Sequence, residues 1–512
     1  MYPFYKYYID PDGTSYLTIS KRYATGDFAT AVNAYWSPWS CWFTALLIKW
    51  GLMPIPASVI INSLGASGFL FISQSIFLKF SIHKIYQWLL NFTLLFFLGY
   101  AVFAQSFDDI WQCFFLLSAL RLLLLDTFCN RPILWVFYGI IGGFAYFAKA
   151  YSFPFFIINT LICVFFVVKM NKIKWLQICL VSLLSFFICC FPWIYILHNK
   201  YGIWTSSTAG SLNLSWYLIG HPFWNKDYNY LIPPILKGSP YYWEDPYLVN
   251  GYTPHFWNSW QLFGRQIVRF FYTLYKFNYS IFQISIAFPI VIYVCYKIVK
   301  FKKTRMQYPD GLFIISLSFL LFPSAYLLIN FESRYIWYLV PLSMLLSTYI
   351  IQNKLLKIHI QFSPLLLVIL FCISYLVYPA IQLKNMFNKG REEYNLALVL
   401  KENNLSGSFT GNIKTANMAR LAYFSGNQYY YVAKPKIDLI EIQKEMILYD
   451  IKYLLVLPLN SSETIPKIET SLNKEPLLVN YINANIQFTW DSIKITDNRL
   501  EKEYIVYKLV KH

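Results

Sequence analysis

Charge is what this sequence has least of. Only 13% of its 512 residues are charged, while 57% are hydrophobic and 21% aromatic. A soluble domain carries roughly 25% charged residues, so a water-facing body of this size could not be covered. The mean hydropathy of +0.42 agrees with a membrane protein. Cysteine is present but not patterned: Cys113, Cys163, Cys179, Cys189, Cys190, Cys295 and Cys372 lie inside apolar stretches, as small hydrophobes do, and none follows Leu383. No CxxC or His-rich spacing occurs, which excludes a disulfide framework and a structural zinc site. The net charge of +18 does not mark a nucleic-acid binder, because most of the basic residues sit at the ends of apolar runs.

Apolar runs of roughly 20 residues at 1.5 Å each are long enough to cross a bilayer. About ten are legible by this measure: Ile55–Phe80, Tyr86–Gln105, Ile110–Leu125, Pro132–Ala148, Tyr151–Val168, Trp175–Leu197, Tyr279–Val299, Leu312–Asn330, Tyr335–Ile351 and Pro364–Leu383. One set of ends carries Lys79, Lys84, Arg121, Arg131, Lys169, Lys172, Lys174, Lys297, Lys300, Lys302, Lys303, Arg305, Lys354 and Lys357. The positive-inside rule makes that set cytoplasmic, which puts both termini and the long segment His198–Asn278 outside. The expected fold class is an α-helical polytopic membrane protein with an extracytoplasmic α/β domain at its C-terminus.

The division expected is an outer acidic loop with amphipathic helices over residues 1–54, a transmembrane core over 55–383 that includes the outer loop 198–278, and an α/β domain over 384–512. Thr14–Thr30 and Trp39–Trp50 read as interface-lying helices, with Gly26-Asp27 and Ser37-Pro38 as breaks. The tail alternates helical signals at Glu392–Glu402, Thr415–Phe424 and Asp438–Tyr449 with strand-like Gln428–Val432, Tyr453–Leu457, Ile486–Trp490 and Tyr504–Leu509. No signal peptide opens the chain, and the polar start Met1 to Gly13 predicts either an eleventh span ahead of it or a genuine ten-span protein.

Acids outside and next to the bilayer are the first candidates for chemistry. Asp12, in Asp10-Pro11-Asp12-Gly13-Thr14-Ser15-Tyr16, could serve as general base; the structural alternative has Asp12 capping the next helix and Asp10 in a turn. Asp108 and Asp109 could bind a divalent cation or orient a donor, or could complement the dipole of the helix they open. Lys149 and Arg334 are cations on the side the positive-inside rule depletes, where they could hold a lipid-linked phosphate; snorkelling, and for Arg334 a local pair with Glu332, are the alternatives. The segment 198–278 is rich in aromatics, including Trp204, Trp216, Tyr217, Trp224, Tyr228, Tyr230, Tyr241, Tyr242, Trp243, Trp257 and Trp260, with His221 and His255. Most of these suit the membrane interface, whereas Glu244 and Asp245 gain nothing there.

Taken together, Asp12-Gly13-Thr14-Ser15-Tyr16 through Gly26-Asp27, Asn33-Ala34-Tyr35-Trp36-Ser37-Pro38, Gly142-Gly143-Phe144-Ala145-Tyr146-Phe147-Ala148-Lys149 and Glu332-Ser333-Arg334-Tyr335 resemble the integral-membrane C-type glycosyltransferases. The nearest pattern is that of bacterial members akin to protein O-mannosyltransferases and the lipid A aminoarabinose transferase. The resemblance implies inverting transfer of a sugar from a polyprenyl-phosphate carrier to a glycan, lipid or protein acceptor on the outer face. It implies Asp12 as base, Lys149, Arg334 and Tyr335 at the donor phosphate, and Asp10, Asp108, Asp109, Glu244 and Asp245 as supporting acids. No cofactor is required by this reading, apart from the divalent cation the paired acids could hold. Two departures stand out: the span expected before the acidic loop is absent, and Gly13 occupies a position where those two branches have a second acid. A transporter or flippase of lipid-linked saccharides is the alternative, but it is expected to carry ionisable residues deep in its spans. The abundance of Ile, Lys, Asn and Tyr points to the cytoplasmic membrane of a bacterium.

Overall fold

The computed structural model describes residues 1–104, 107–220, 231–249, 253–353, 363–411, 415–432, 439–456, 488–501 and 503–511. His221, Trp224, Tyr228, Tyr230, Lys354, Lys357, Asp438, Leu457 and Ile486, all used in the sequence reading, lie outside the described residues. The chain divides into two compact units: Tyr23–Gly220 with Thr253–Met386, and Met1–Arg22 with His221–Tyr252 and Phe387–His512.

The first of these units is helical. Its long helices follow the apolar runs closely: Pro54–Lys79, Lys84–Phe103, Phe107–Leu123, Pro132–Ala148, Ser152–Val167 and Lys172–Tyr201. Not every run becomes a membrane-length helix. Among the described residues five helical stretches are long and apolar enough to cross a bilayer, Pro54–Lys79, Lys84–Phe103, Lys172–Tyr201, Asp310–Leu328 and Pro364–Glu402, and a bent pair would make six. Pro132–Ala148, Ser152–Val167 and Leu339–Asn353 are apolar but shorter, which is why the expected count of about ten exceeds what length alone supports.

The bent pair corrects the reading of 198–278 as a loop. Residues Trp260–Ile284 form one continuous helix, which turns by 116° into Ala287–Lys300. Ser285, with extended backbone, makes the corner: its hydroxyl accepts from the Ala287 N–H at 3.1 Å and lies 2.5 Å from the Ser374 hydroxyl. The amphipathic pattern of Trp260–Asn278, with Arg265, Arg269 and Lys276 among its aromatics, makes a helix that is not an apolar run.

Helix Pro132–Ala148 packs closely along Lys172–Tyr201. A Cβ on Gly139 would stand 2.1 Å from the Ser182 carbonyl, and one on Gly143 would stand 2.5 Å from Cys189 Sγ. These two glycines, four residues apart on one face, let the backbones approach in the manner of small-xxx-small membrane helix pairs.

In the other unit a mixed five-stranded sheet runs in the order β3-β2-β5-β7-β6. Its strands are β2 (Ser408–Gly411), β3 (Gln428–Tyr429), β5 (Tyr453–Val456), β6 (Phe488–Ile495) and β7 (Tyr504–Lys511), and a further pair is β1 (Leu231–Ile232) with β4 (Tyr431–Val432). Strand β2 is parallel to both β3 and β5, through crossovers that contain the helices Thr415–Ser425 and Leu439–Leu448, while β7 is antiparallel to β5 and β6. The run read as one strand over 428–432 is divided between two sheets. This unit also gathers residues that the sequence division had kept apart. Leu231 is buried in a cluster with Ile442, Met446, Ile451 and Leu454, and its N–H donates to Glu445 Oε2 at 2.7 Å. Hydrophobic burial and strand pairing therefore tie the segment 231–249 to the C-terminal residues rather than to the helices that precede it in sequence.

Replacing Gly139 by Ala is expected to force the two helices apart at a cost of about 1–3 kcal/mol, the range for overpacking. Gly210→Ala, where a Cβ meets nothing within 4 Å, is expected to change little. Thermal unfolding of both variants in detergent, followed by circular dichroism, checks the pair; equal midpoints would contradict the packing argument.

Candidate active site

In the helical unit, a carboxylate collects two cations from distant parts of the chain. Asp109 opens helix Phe107–Leu123, Lys149 follows the last turn of Pro132–Ala148, and Arg334 lies in the short 3-10 turn Ser333–Ile336. Lys149 Nζ donates to Asp109 Oδ1, and Arg334 Nε stands 3.9 Å from Asp109 Oδ2. Arg334 Nε also donates to Glu332 Oε2 at 2.7 Å, and the Tyr335 hydroxyl donates to Glu332 Oε1 at 3.3 Å. The Asp109 side chain is 5% exposed, whereas Lys149, Arg334 and Glu332 are 21%, 18% and 43% exposed, so the cations, unlike the carboxylate between them, are open to solvent or a ligand.

Aromatic rings form one wall of the cluster. Lys149 Nζ lies 4.3 Å above the Tyr335 ring, which stacks on Tyr326 at 4.5 Å, which in turn stacks on Tyr151 at 3.7 Å. A cation over a ring face is held by the ring quadrupole. Burial raises the Glu332 carboxyl, but Arg334 and Lys149 outweigh it and hold the group below its ordinary value.

Asp108 points elsewhere. Its Oδ1 accepts from the Ser40 N–H at 3.1 Å, at the first turn of helix Trp39–Lys49, so it completes the N-terminus of another helix. The two adjacent acids therefore do not converge as a chelate, and among the described residues no group of three or more His, Cys, Asp or Glu side chains comes together as a metal site. Nearby, the motif Asn33 to Pro38 folds as a side-chain turn: Asn33 Oδ1 accepts from the N–H groups of Tyr35 and Trp36 at 2.8 and 3.0 Å. The Ser37 hydroxyl accepts from the Ala150 N–H at 3.2 Å, next to Lys149.

Asp10, Asp12, Glu244 and Asp245 belong to the other unit. There Asp10, not Asp12, is the helix cap: its Oδ1 accepts from the Gly13 N–H at 2.6 Å. Asp12 is left in the first turn of helix Pro11–Thr25, partly exposed, where the helix dipole favours its charge. That helix ends at Gly26 with φ of +81°, and Asp27 caps the next short helix by accepting from the Thr30 N–H at 3.4 Å, in keeping with the break expected there. Tyr241 braces the start of the acidic helix, donating to the Pro11 carbonyl at 2.6 Å, with its hydroxyl 3.1 Å from that of Ser15.

Glu244 is fully engaged in the fold. Arg22 Nε donates to its Oε1 at 2.5 Å, the Ser239 hydroxyl donates to its Oε2, and Arg22 also reaches the Lys237 carbonyl at 3.0 Å. Asp245 is buried at the start of the short helix Pro246–Val249. The pairing of Arg22 with Glu244 links positions far apart in sequence, and only the scarcity of acids hinted at it. Tyr326 and Tyr151 were likewise passed over, because each lies at the edge of an apolar run and carries no local signal.

The Arg22–Glu244 pair yields a stability prediction. Arg22→Met would leave a carboxylate 1% exposed without its cation, a change that costs about 3–5 kcal/mol, and Arg22→Met with Glu244→Gln should recover most of it. Burial, only partly offset by Arg22, raises the Glu244 carboxyl above 4.5, so the native state keeps a proton the unfolded chain has lost. This group's contribution therefore falls as pH rises from 4.5 through the folded value, and Glu244→Gln should flatten that slope in pH-dependent unfolding curves.

No protein-family model and no curated protein sequence matches the chain. Among solved structures it is similar to ArnT from Cupriavidus metallidurans bound to undecaprenyl phosphate, with a TM-score of 0.53 and 10% identity over 98% of this chain and 93% of that one. It is equally similar to the same protein in its apo state, with a TM-score of 0.53 and 9% identity over the same shares. It is also similar to the oligosaccharyltransferase of Archaeoglobus fulgidus in complex with Zn and sulfate, with a TM-score of 0.52 and 12% identity over 88% of this chain and 64% of that one. At such identities the likeness is one of fold. The chain is a multi-pass membrane protein with the fold of the C-type membrane glycosyltransferases, the group that its acidic loop and its Lys149 and Arg334 motifs resemble.

Proposed function

We propose that the protein transfers a sugar from a polyprenyl-phosphate donor to a hydroxyl or amine acceptor, a glycan, lipid or protein, at the outer face of a bacterial cytoplasmic membrane. The observation that carries this reading is the Lys149 and Arg334 pair gathered by Asp109, in a fold shared with a protein whose structure holds undecaprenyl phosphate. A donor phosphate would compete with Asp109 for the two cations, Lys149 acting as a point charge and Arg334 through its planar fork.

In the step proposed, a lone pair of the acceptor attacks the anomeric carbon from the face opposite the carrier. The bond from that carbon to the phosphate oxygen breaks, and its electron pair leaves with the polyprenyl phosphate, which gains one negative charge. Lys149 and Arg334 stabilise that developing charge more than they stabilise the donor, which is the condition for lowering the barrier. Asp12 takes the acceptor proton, and the configuration at the sugar inverts. Asp10 caps the helix in whose first turn Asp12 lies, one residue on from Pro11.

The test uses membranes that express wild type or Asp12→Asn in equal amounts, supplied with radiolabelled polyprenyl-phosphate sugars, scoring loss of label from the lipid. Wild type should consume a donor and Asp12→Asn should lose on the order of a hundredfold or more. Equal turnover would remove Asp12 from the mechanism, and no turnover with any donor would favour a transporter. Arg334→Lys keeps the charge but not the fork, so it should lose less turnover than Arg334→Gln, which is expected to fall by about a hundredfold. Equal losses in both would argue against charge stabilisation at this position.

A further inference from the structure

We propose that Arg420, far along the chain in helix Thr415–Ser425, is a positioning residue for the acidic loop and acts on Asp12 through the Ile9 carbonyl. The inference rests on the general-base reading and deepens it. Arg420 is 2% exposed, yet its Nε donates at 2.8 Å to a neutral acceptor, the carbonyl of Ile9, the residue that immediately precedes Asp10-Pro11-Asp12. Its Nη1 donates to Glu393 Oε1 at 2.7 Å, so the ion pair that compensates the buried charge also aims the guanidinium at the loop.

Other contacts from the same region fix the rest of the loop. The Asn388 N–H donates to the Phe4 carbonyl at 2.9 Å, and the Tyr7 ring lies 4.9 Å from that of Tyr394. Gly390, with φ of +89°, passes so near the loop that a Cβ there would stand 2.1 Å from the Tyr7 carbonyl. On the far side of Ile9, Tyr241 holds the Pro11 carbonyl and Asp10 caps the helix. Arg420 is the buried charge in this chain of contacts, and it grips the backbone just before the proposed base. A base must be held to within about 0.5 Å of its working position, and a displacement of about 1 Å can cost roughly a hundredfold in rate.

The test is kinetic, on the purified full chain with a polyprenyl-phosphate sugar donor. Arg420→Met combined with Glu393→Gln removes the donor to Ile9 without leaving a buried carboxylate unpaired. Its kcat should fall at least tenfold with the donor KM unchanged, because the cations proposed for the phosphate are other residues. Arg420→Lys, whose ammonium still donates, should recover part of the loss, and Arg499→Ala, on an exposed pair in the same unit, should leave kcat as it is.

In an Asp12→Asn background the double substitution should have little further effect, since a base already removed cannot be misplaced. A purely structural role for Arg420 would lower turnover by the same factor in either background. Unchanged kcat in the double variant, or additive losses in the cycle, would overturn the inference while leaving Asp12 as base. Full turnover in Asp12→Asn would overturn the base assignment, and this inference with it.

Discussion

The Asp109 carboxylate is the constraint on which the cation cluster of the helical unit depends. With one oxygen on Lys149 and the other facing Arg334, it draws together a helix start, a helix end and a 3-10 turn that the chain reaches about 40 and 225 residues later. Lys149 and Arg334 would otherwise be two like charges held close together in a low-dielectric setting, and their repulsion would spread the site open. Asp109 and Glu332 bring the cluster near neutrality. The tyrosine stack beneath Lys149 fixes the height of the ammonium without adding charge. The small-residue face of Pro132–Ala148 sets the axial position of the helix that ends at Lys149.

The other unit solves a different problem, which is to hold an acidic segment in place using residues remote in sequence. Tyr241 and Glu244, the partner of Arg22, belong to it through the segment 231–249, and Arg420 through the C-terminal residues. Each of these contacts fixes backbone or neutralises a buried charge. Packing Leu231 among Ile442, Met446, Ile451 and Leu454 adds the apolar burial that a short two-residue strand pair could not supply alone.

Much of the helical unit could be read from the sequence because apolar runs of the right length have few other uses. The bounds at Pro132–Ala148 coincide with the expected ones, and Lys149 and Arg334 stand out in the sequence as cations in connections that the positive-inside rule assigns to the outer side. The helix Trp260–Ile284 was missed because its arginines and aromatics alternate at helical spacing, a pattern that lowers hydropathy without breaking the helix. The partners of the acids were not legible. That Asp108 would cap the helix at Ser40, that Asp10 rather than Asp12 would cap its own helix, and that Glu244 would take Arg22 are outcomes of tertiary placement, which a single sequence does not encode locally. The strand Ser408–Gly411 was passed over because four residues ending in glycine give too short a pattern to recognise.

Ligand binding to the cation pair tests the account most directly. Purified wild type should be stabilised against heat by added undecaprenyl phosphate, with a shift that grows with ligand concentration. A Lys149→Ala, Arg334→Gln variant that folds should show no such shift at the same concentrations. The same shift in both proteins would contradict the assignment of these residues to a lipid-linked phosphate.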